Sequence, residues 1–244
     1  MDVVRKIEEL SLNALPALNT TCYDGWLLRY ANGYANRANS VNMLQKSALP
    51  VDEKIAHCEQ FYTRQGLPAV FKITPLSPEL DAILETRGYD IVTPTAVMTM
   101  GISKTSMGGA LSVIEAGISG RWQDSYCRIN QLREADVPIA KKVQNNILEQ
   151  CLCATITVGG EIVACGLCVV ERAYAGLFDI CVSPQHRRRG YGQDICVSLI
   201  SAAAGYGAET VYLQVISANT SAVKLYEKIG FRDAYSYWYR VKKQ

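Results

Sequence analysis

The sequence predicts a mixed α/β fold in two parts, and three observations carry that expectation. The composition is that of an ordinary globular chain: 244 residues, 49% hydrophobic and 20% charged, with 18 glycines and 8 prolines. Disorder, collagen-like repeats and a coiled coil do not fit such a balance. Apolar residues recur with helical and with strand period in alternating stretches. Near the middle these patterns stop at Gly101 to Ala110, a small, polar, Gly-rich segment that reads as a linker between a first domain, 1–100, and a second, 111–244.

In the first part, Val3 to Leu15 reads as a short helix, followed by a strand pair around Gly25 to Tyr30 and Ala38 to Leu44. Asp52 to Gln65 carries Ile55, Cys58 and Tyr62 at helical spacing. A strand (Ala69 to Thr74), a helix (Pro78 to Thr86) and a strand near Val97 follow, with Gly88 placed as a left-handed helix C-cap. In the second part, helical patterns at Arg121 to Leu132 and Glu134 to Leu148 lead into a strand, Cys151 to Val158. Gly159-Gly160 is a hairpin turn into Glu161 to Glu171. A third strand, Ala175 to Val182, precedes a helix from Gly190 to Ala204, a strand from Val211 to Ile216, a helix from Thr220 to Ile229 and an aromatic strand from Ala234 to Val241. Both parts end in the order strand, helix, glycine plus aromatic (Gly88-Tyr89, Gly230-Phe231), strand. A tandem duplication accounts for that order, although residue identity between the parts does not establish one.

The net charge of +2 is too small to point to nucleic acid or an anionic membrane surface. The longest apolar runs, such as Ile195 to Ala204, fall far below the ~20 residues of a bilayer span. Met1 to Leu10 carries Asp2, Glu8 and Glu9 and has no signal-peptide core. A soluble, cytoplasmic protein without nucleic-acid or membrane partners is expected, with a homodimer left open. Nine cysteines do not organise in the sequence. The one C-x-x-C, Cys165 and Cys168, lies within a strand, where odd spacing sends the thiols to opposite faces. Cys151 and Cys153 share a face, but His57 and His186 are remote from both. Reduced, buried thiols acting as small hydrophobes are expected, and no metal.

The stretch with chemical content is Ile180-Cys-Val-Ser-Pro-Gln-His-Arg187-Arg-Arg-Gly190-Tyr-Gly192-Gln193: a strand, a basic loop with two glycines, then a helix. The first turn of a helix offers unpaired N–H groups and partial positive charge, which attract phosphate. Gly190 and Gly192 admit close approach of a ligand to the backbone, and Arg187, Arg188 and Arg189 add charge. The spacing is neither a P-loop nor a dinucleotide turn. A solvated basic loop capping a helix accounts for it equally. In the later stretch Leu213 to Phe231, Ala222, Leu225, Tyr226 and Ile229 share one helix face. Tyr226 there is readable as a core tyrosine, and Asn219 as a helix N-cap.

Together the two stretches resemble the GNAT superfamily of N-acetyltransferases. Arg187-x-x-Gly190-x-Gly192 matches its R/Q-x-x-G-x-G/A signature, and Asn219 through Phe231 matches its N-x-x-A-x-x-L-Y-x-K-x-G-F pattern. The resemblance covers about Leu132 to Lys243. The words Gly25-Trp26, Arg37-Ala-Asn39-Ser40-Val41 and Cys58-Glu-Gln-Phe61-Tyr62 before Gly66-Leu67-Pro68 are similar to two-part members whose front half is a degenerate copy. That front half lacks R-x-x-G-x-G and has Ser77 and Leu84 where Asn219 and Tyr226 stand later.

The resemblance implies a mostly antiparallel, splayed sheet with flanking helices, repeated in two tandem halves, and acetyl-CoA as co-substrate between two parted strands. It implies that backbone groups of Ile180, Cys181 and Val182 meet the thioester and pantetheine arm. It further implies that N–H groups from Arg188 to Gln193, Tyr191 among them, cradle the pyrophosphate, and that Asn219 binds further along. An amine of a small molecule or peptide then attacks directly, a strand N–H stabilises the oxyanion, and Tyr226 protonates the leaving thiolate. Gln214 occupies the place where many members carry a glutamate base, which leaves Asp179 as the acidic candidate. Asp179 is equally readable as a structural carboxylate, and a water chain would need no base. Tyr235, Tyr237, Trp238 and Tyr239 either wall an amine site or pack the core. The rival class is a non-catalytic acyl-CoA-binding module. A nucleic-acid role for Arg187 to Arg189 lacks a distributed basic face.

Overall fold

The computed structural model describes residues 3–45, 47–102 and 111–242. Tertiary contacts gather them into two compact units: 3–96, 216–218 and 235–242 in the first, and 97–102, 111–215 and 219–234 in the second. This differs from a division at the glycine-rich segment. The boundary falls inside a strand, and the final strand returns to the first unit. Most of the expected linker, 103–110, lies outside the described residues.

The first unit contains α1 (Val3–Ala14), β1 (Asn19–Tyr23), β2 (Trp26–Tyr30), β3 (Val41–Met43), α2 (Val51–Thr63), β4 (Val70–Ile73), α3 (Pro78–Thr86) and the opening of β5 (Tyr89–Gly101). The second contains the end of β5, then β6 (Val113–Ala116), α4 (Gly120–Ile129), α5 (Val137–Asn145), β7 (Gln150–Val158), β8 (Glu161–Glu171), β9 (Tyr174–Val182), α6 (Tyr191–Gly205), β10 (Thr210–Ile216), α7 (Thr220–Ile229) and the start of β11 (Arg232–Lys242). The expected helices and strands are all present, and three of them (α3, β8 and α7) keep their expected ends. β1 and β6 were not legible. Asn19-Thr-Thr-Cys-Tyr has no apolar alternation and is mostly exposed, and β6 is short and likewise mostly exposed. Expected from Glu134, α5 starts only at Val137, with proline in its first turn, where a missing N–H costs nothing.

In the first unit β1, β2 and β3 pair antiparallel, β3 meets β4 in parallel, and β4 pairs antiparallel with β11 from Ile73↔Trp238 to Val70↔Val241. Trp26, Leu28, Val41, Ile55, Cys58, Tyr62, Phe71 and Leu84 form its core. Polar groups tie β11 into it. Buried Lys72 pairs with Glu8 at 2.5 Å, and the Tyr235 hydroxyl donates to the other oxygen of Glu8 at 2.7 Å. Arg240 and Trp238 donate to Asp81 at 2.7 and 2.8 Å. An unpaired buried charge is so costly that these matched partners hold β11 in this unit. Asn39 is likewise structural, since its Oδ1 accepts from the backbone of Ala31 (2.7 Å) and Gly33 (2.9 Å).

The second unit has the strand order β10-β9-β8-β7-β6, antiparallel except for the parallel β9–β10 pair. Gly159 and Gly160, with φ of 60° and 83°, turn the β7–β8 hairpin as expected. Apolar residues of α4, α6 and the three central strands fill the interior, among them Trp122, Leu152, Leu167, Phe178, Ile195 and Leu199. The architecture is therefore the expected mixed α/β fold, with a mostly antiparallel sheet and flanking helices.

Candidate functional site

Two features of β9 shape the site. Its recorded pairing with β10 runs only from Tyr174↔Thr210 to Leu177↔Leu213, although both strands continue. Beyond Leu177 no pairing of β9 with β10 is recorded among the described residues, and an unpaired strand edge is a place where backbone N–H and C=O groups can meet a ligand. In the same place the register with β8 slips: Cys165 opposes Cys181 while Leu167 opposes Phe178, giving β9 one extra residue. Asp179, at φ +53°, sits in this bulge. Bulges bend a strand and re-aim its side chains.

The loop after β9 leads into α6 through Arg188 at φ +63° and Gly190, the N-cap, at φ +84°. Only glycine takes the second conformation without steric cost. The first α6 N–H bonded within the helix is that of Asp194, which donates to the Gly190 carbonyl at 3.0 Å. The N–H groups of Tyr191, Gly192 and Gln193 precede it and point out of the helix end. A Cβ on Gly192 would meet Leu225 of α7 at 3.4 Å and Val182 of β9 at 3.7 Å, ordinary contact distances. Gly192 thus lies where β9, α6 and α7 converge, and the protein's own atoms do not dictate its lack of a side chain. Arg187, Arg188 and Arg189 are exposed. The Arg187 Nε donates to the Val182 carbonyl at 3.3 Å, which leaves the Val182 N–H as the group available toward a ligand. Ile180 and Val182 alternate with Cys181, and all three are half-buried.

Asn219 caps α7: its Oδ1 accepts from Ala222 N at 3.2 Å and from the Ser221 hydroxyl at 3.0 Å. Tyr226 is the buried residue of that helix, and its ring meets Phe231 edge-on at 5.9 Å. Burial, with a smaller contribution from Cys196 of α6, raises its pKa, so the phenol keeps its proton at neutral pH.

The half-buried Asp179 accepts a hydrogen bond from Gln144 Nε2 of α5 at 3.2 Å. Gln123 of α4 in turn donates to Gln144 at 3.2 Å and to Asn145 at 3.0 Å. This amide chain joins α4, α5 and β9, and no sequence spacing announced it. Gln144 also lines a pocket of about 350 Å³ with Gly117, Ile118, Glu149, Gln150 and Cys151. Gln214 stands on β10, in the place where the resemblance would put a glutamate.

The four aromatic residues do not form an amine cage. Tyr235 bonds Glu8, Tyr237 lies under Lys72 Nζ at 4.0 Å from its ring centre, Trp238 bonds Asp81, and Tyr239 is buried. All belong to the first unit, where Tyr235, Tyr237 and Tyr239 are buried and Trp238 is half-buried against the core. The thiols are free. Strand register puts Cys151, Cys153 and Cys165 on one sheet face and Cys168 on the other. Among the described residues no group of three or more His, Cys, Asp and Glu is placed to hold a metal.

The protein family described as "Probable histone acetyltransferase Rv0428c C-terminal" matches residues 2–240. The "Uncharacterized N-acetyltransferase YobR" of Bacillus subtilis (strain 168) is 32% identical over 253 aligned residues, covering all of both chains. The "[Ribosomal protein bS18]-alanine N-acetyltransferase" of Escherichia coli (strain K12) is 29% identical over 120 residues, 43% of this chain and 81% of that protein. In fold, a GCN5-related N-acetyltransferase from Kribbella flavida superposes with a TM-score of 0.67 at 12% identity, over 100% of this chain and 97% of that one. A family match over almost the whole sequence, joined to a full-length relative at this identity, places the chain in the GCN5-related N-acetyltransferase superfamily, a superfamily of acyltransferase enzymes.

Proposed function

We propose that the protein transfers the acetyl group of acetyl-CoA to a primary amine of a small molecule or peptide in the cytoplasm, and that 111–234 carry the chemistry. The observation that carries this proposal is the parting of β9 from β10 beside the Gly190–Gly192 turn. A thioester with a long polar arm fits that arrangement: backbone hydrogen-bonding groups line one strand edge, and a helix N-terminus with exposed arginines lies at its end. The bound co-substrate supplies an activated acyl group and a thiolate leaving group.

The chain's own residues then have distinct tasks. The N–H groups from Arg188 to Gln193 hold the pyrophosphate, and Gly192 admits it. Backbone groups of Ile180, Cys181 and Val182 align the arm, and a β9 N–H stabilises developing negative charge on the carbonyl oxygen. Asn219, its Oδ1 committed to the helix cap, offers its amide nitrogen to the arm. Asp179, re-aimed by the bulge and oriented by Gln144, accepts a proton from the incoming ammonium. Tyr226 donates its phenolic proton to the departing sulfur. The E. coli relative's name supports including a peptide α-amine in the acceptor panel.

Calorimetry of the full chain with acetyl-CoA, followed by thiol release across a panel of amines, tests the proposal. Binding and amine-dependent release are expected. Binding without release from any amine would make this a non-catalytic acyl-CoA-binding module, and no binding by the folded chain would defeat both readings.

A further inference from the structure

Cys165 of β8 and Cys181 of β9 are register partners in the antiparallel ladder, and their sulfurs lie 3.2 Å apart. Among the described residues no other two cysteines are recorded in sulfur contact. Cys165 is fully buried, while Cys181 is half-buried and therefore reachable by a small solute. The pair sits beside the bulge, where the register between β8 and β9 already slips. A disulfide requires about 2.05 Å between sulfurs, so roughly 1 Å of approach closes the gap, and a bent, bulged strand yields more readily than a regular one.

We propose that Cys165 and Cys181 form a reversible oxidation site, a dithiol that a small hydroperoxide converts to a disulfide across β8 and β9. The Cys181 sulfur attacks one peroxide oxygen while its thiol proton passes to the other, the O–O bond breaks, and Cys181 becomes a sulfenic acid as water leaves. The Cys165 sulfur then attacks the Cys181 sulfur. The S–S bond forms as the S–O bond breaks, and the hydroxyl leaves as water with the Cys165 proton. Two thiols lose two electrons in all, and hydrogen peroxide becomes two waters.

The roles of the two sulfurs follow from their surroundings. The hydrogen bond with Cys181 and burial both push the Cys165 thiol up, which suits buried Cys165 to the resolving step, while half-buried Cys181 is the sulfur a peroxide reaches first. An accessible thiol beside a resolving partner is the arrangement that favours a disulfide over further oxidation. Cys127 and Cys153 also approach Asp179 from α4 and β7, and burial pushes both up, so they are poor competitors. The proposal needs no transfer activity and stands or falls apart from it.

The test is hydrogen peroxide treatment of the folded full-length protein, alkylation of remaining thiols after unfolding, and peptide mass spectrometry. Exposed Cys22 serves as the internal benchmark of peroxide exposure. A Cys165–Cys181 cross-linked peptide, with loss of those two free thiols and their return on dithiothreitol treatment, is expected. In Cys165→Ala the cross-link should vanish and Cys181 should be trapped as sulfenic acid by a 1,3-diketone. Persistence of both free thiols after Cys22 is oxidised would overturn the proposal. So would pairing of either with another cysteine, or a Cys181 that ends as sulfinic acid in the wild type.

Discussion

Each unit runs a strand into a helix through a short loop, and the two loops treat negative charge in opposite ways. In the first unit the loop between β3 and α2 gives the N–H groups of Ala48 and Leu49 to the Asp24 carboxylate, at 3.0 and 2.9 Å. Lys54 pairs with the same carboxylate at 3.0 Å, and α2 opens with Asp52 and Glu53. The place for an anion is filled by the chain itself and fenced with like charge. In the second unit the acid in the first turn of α6, Asp194, turns away to accept from Leu111 and Ser112 at 3.2 and 3.0 Å. The N–H groups of Tyr191 to Gln193 stand at the open end of α6 beside three exposed arginines, the arrangement to which the proposed function assigns the pyrophosphate.

The following helices differ in the same spirit. Ser77 precedes α3 without capping it through its side chain, and Leu84 is core. Asn219 caps α7 through its side chain, and Tyr226 carries a hydroxyl into a comparable buried position. The lesson is that the same order of strand, loop and helix serves both units, and that a few polar side chains decide whether a helix start is satisfied by the chain itself or left open.

The most severe way to break this comparison is Gly192→Asp. Two unit charges about 4 Å apart near a protein surface repel by ~4 kcal/mol, so CoA affinity should fall by about a hundredfold or more with the fold intact. Gly190 is a poorer target, since any side chain at φ +84° adds ~1–2 kcal/mol of backbone strain. Asp24→Asn in the first unit should leave CoA affinity unchanged. Calorimetry on both variants decides, and equal affinities would show that the two loops do not differ as described.

Tyr226→Phe comes next. It keeps the ring against Phe231 and removes the proton donor, so kcat should drop about tenfold to a hundredfold, the low end of general-acid help because a thiolate is a tolerable leaving group. Leu84→Ala, at the matching place of α3, should instead cost ~2–5 kcal/mol of stability and leave the kcat of folded molecules alone. Unchanged kcat in Tyr226→Phe, at an equal melting temperature, would reduce Tyr226 to a core residue.

A smaller effect is expected of Asp179→Asn: turnover with cationic amines about tenfold lower or less, since solvent relays replace part of a base's help. CoA affinity should stay the same. A pH–rate profile without change would return Asp179 to a structural role.

The smallest effect on activity is expected in the first unit, at the Asp24 carboxylate. Hydrogen bonds from Leu49 and Ala48, then Lys54, hold the Asp24 pKa below its ordinary 3.8. A depressed carboxylate adds stability that is present above 3.8 and is lost as pH falls through the lower folded value. Melting curves of wild type and Asp24→Asn should therefore converge below pH 3.8 and separate above it, where the variant leaves buried Lys54 without its carboxylate. A gap that widens in acid would contradict the assignment.

Much of the site was legible because it is local. The Gly190 turn, the first turn of α6 and the Asn219 cap each depend on a few consecutive residues whose backbone preferences are written in their side chains. The bulge at Asp179 was not legible. Nothing in Leu177-Phe-Asp-Ile180 requires φ +53° until β8 demands its register and α5 offers Gln144. The aromatic strand stayed open between two readings for a related reason: Tyr235, Tyr237 and Trp238 suit an amine cage as well as a core, and only the distant partners Glu8, Lys72 and Asp81 decide between them.

From the amino-acid order alone came the two-part α/β pattern, the hairpin at Gly159-Gly160, the ends of α3 and α7, and the match of two motifs to an acetyltransferase superfamily. Helix periodicity, glycine conformation and capping are short-range effects and survive in any context. Folding alone decided that β11 leaves the unit of α7 to pair with β4, that the division falls within β5, and that Cys165 meets Cys181. Those outcomes depend on ladder register and on matching buried charges from positions far apart in the chain, as when Lys72 finds Glu8 and Arg240 finds Asp81. A partner is specified only once both strands are in place, because an edge strand accepts any neighbour of suitable register until buried charge makes one of them much cheaper than the rest.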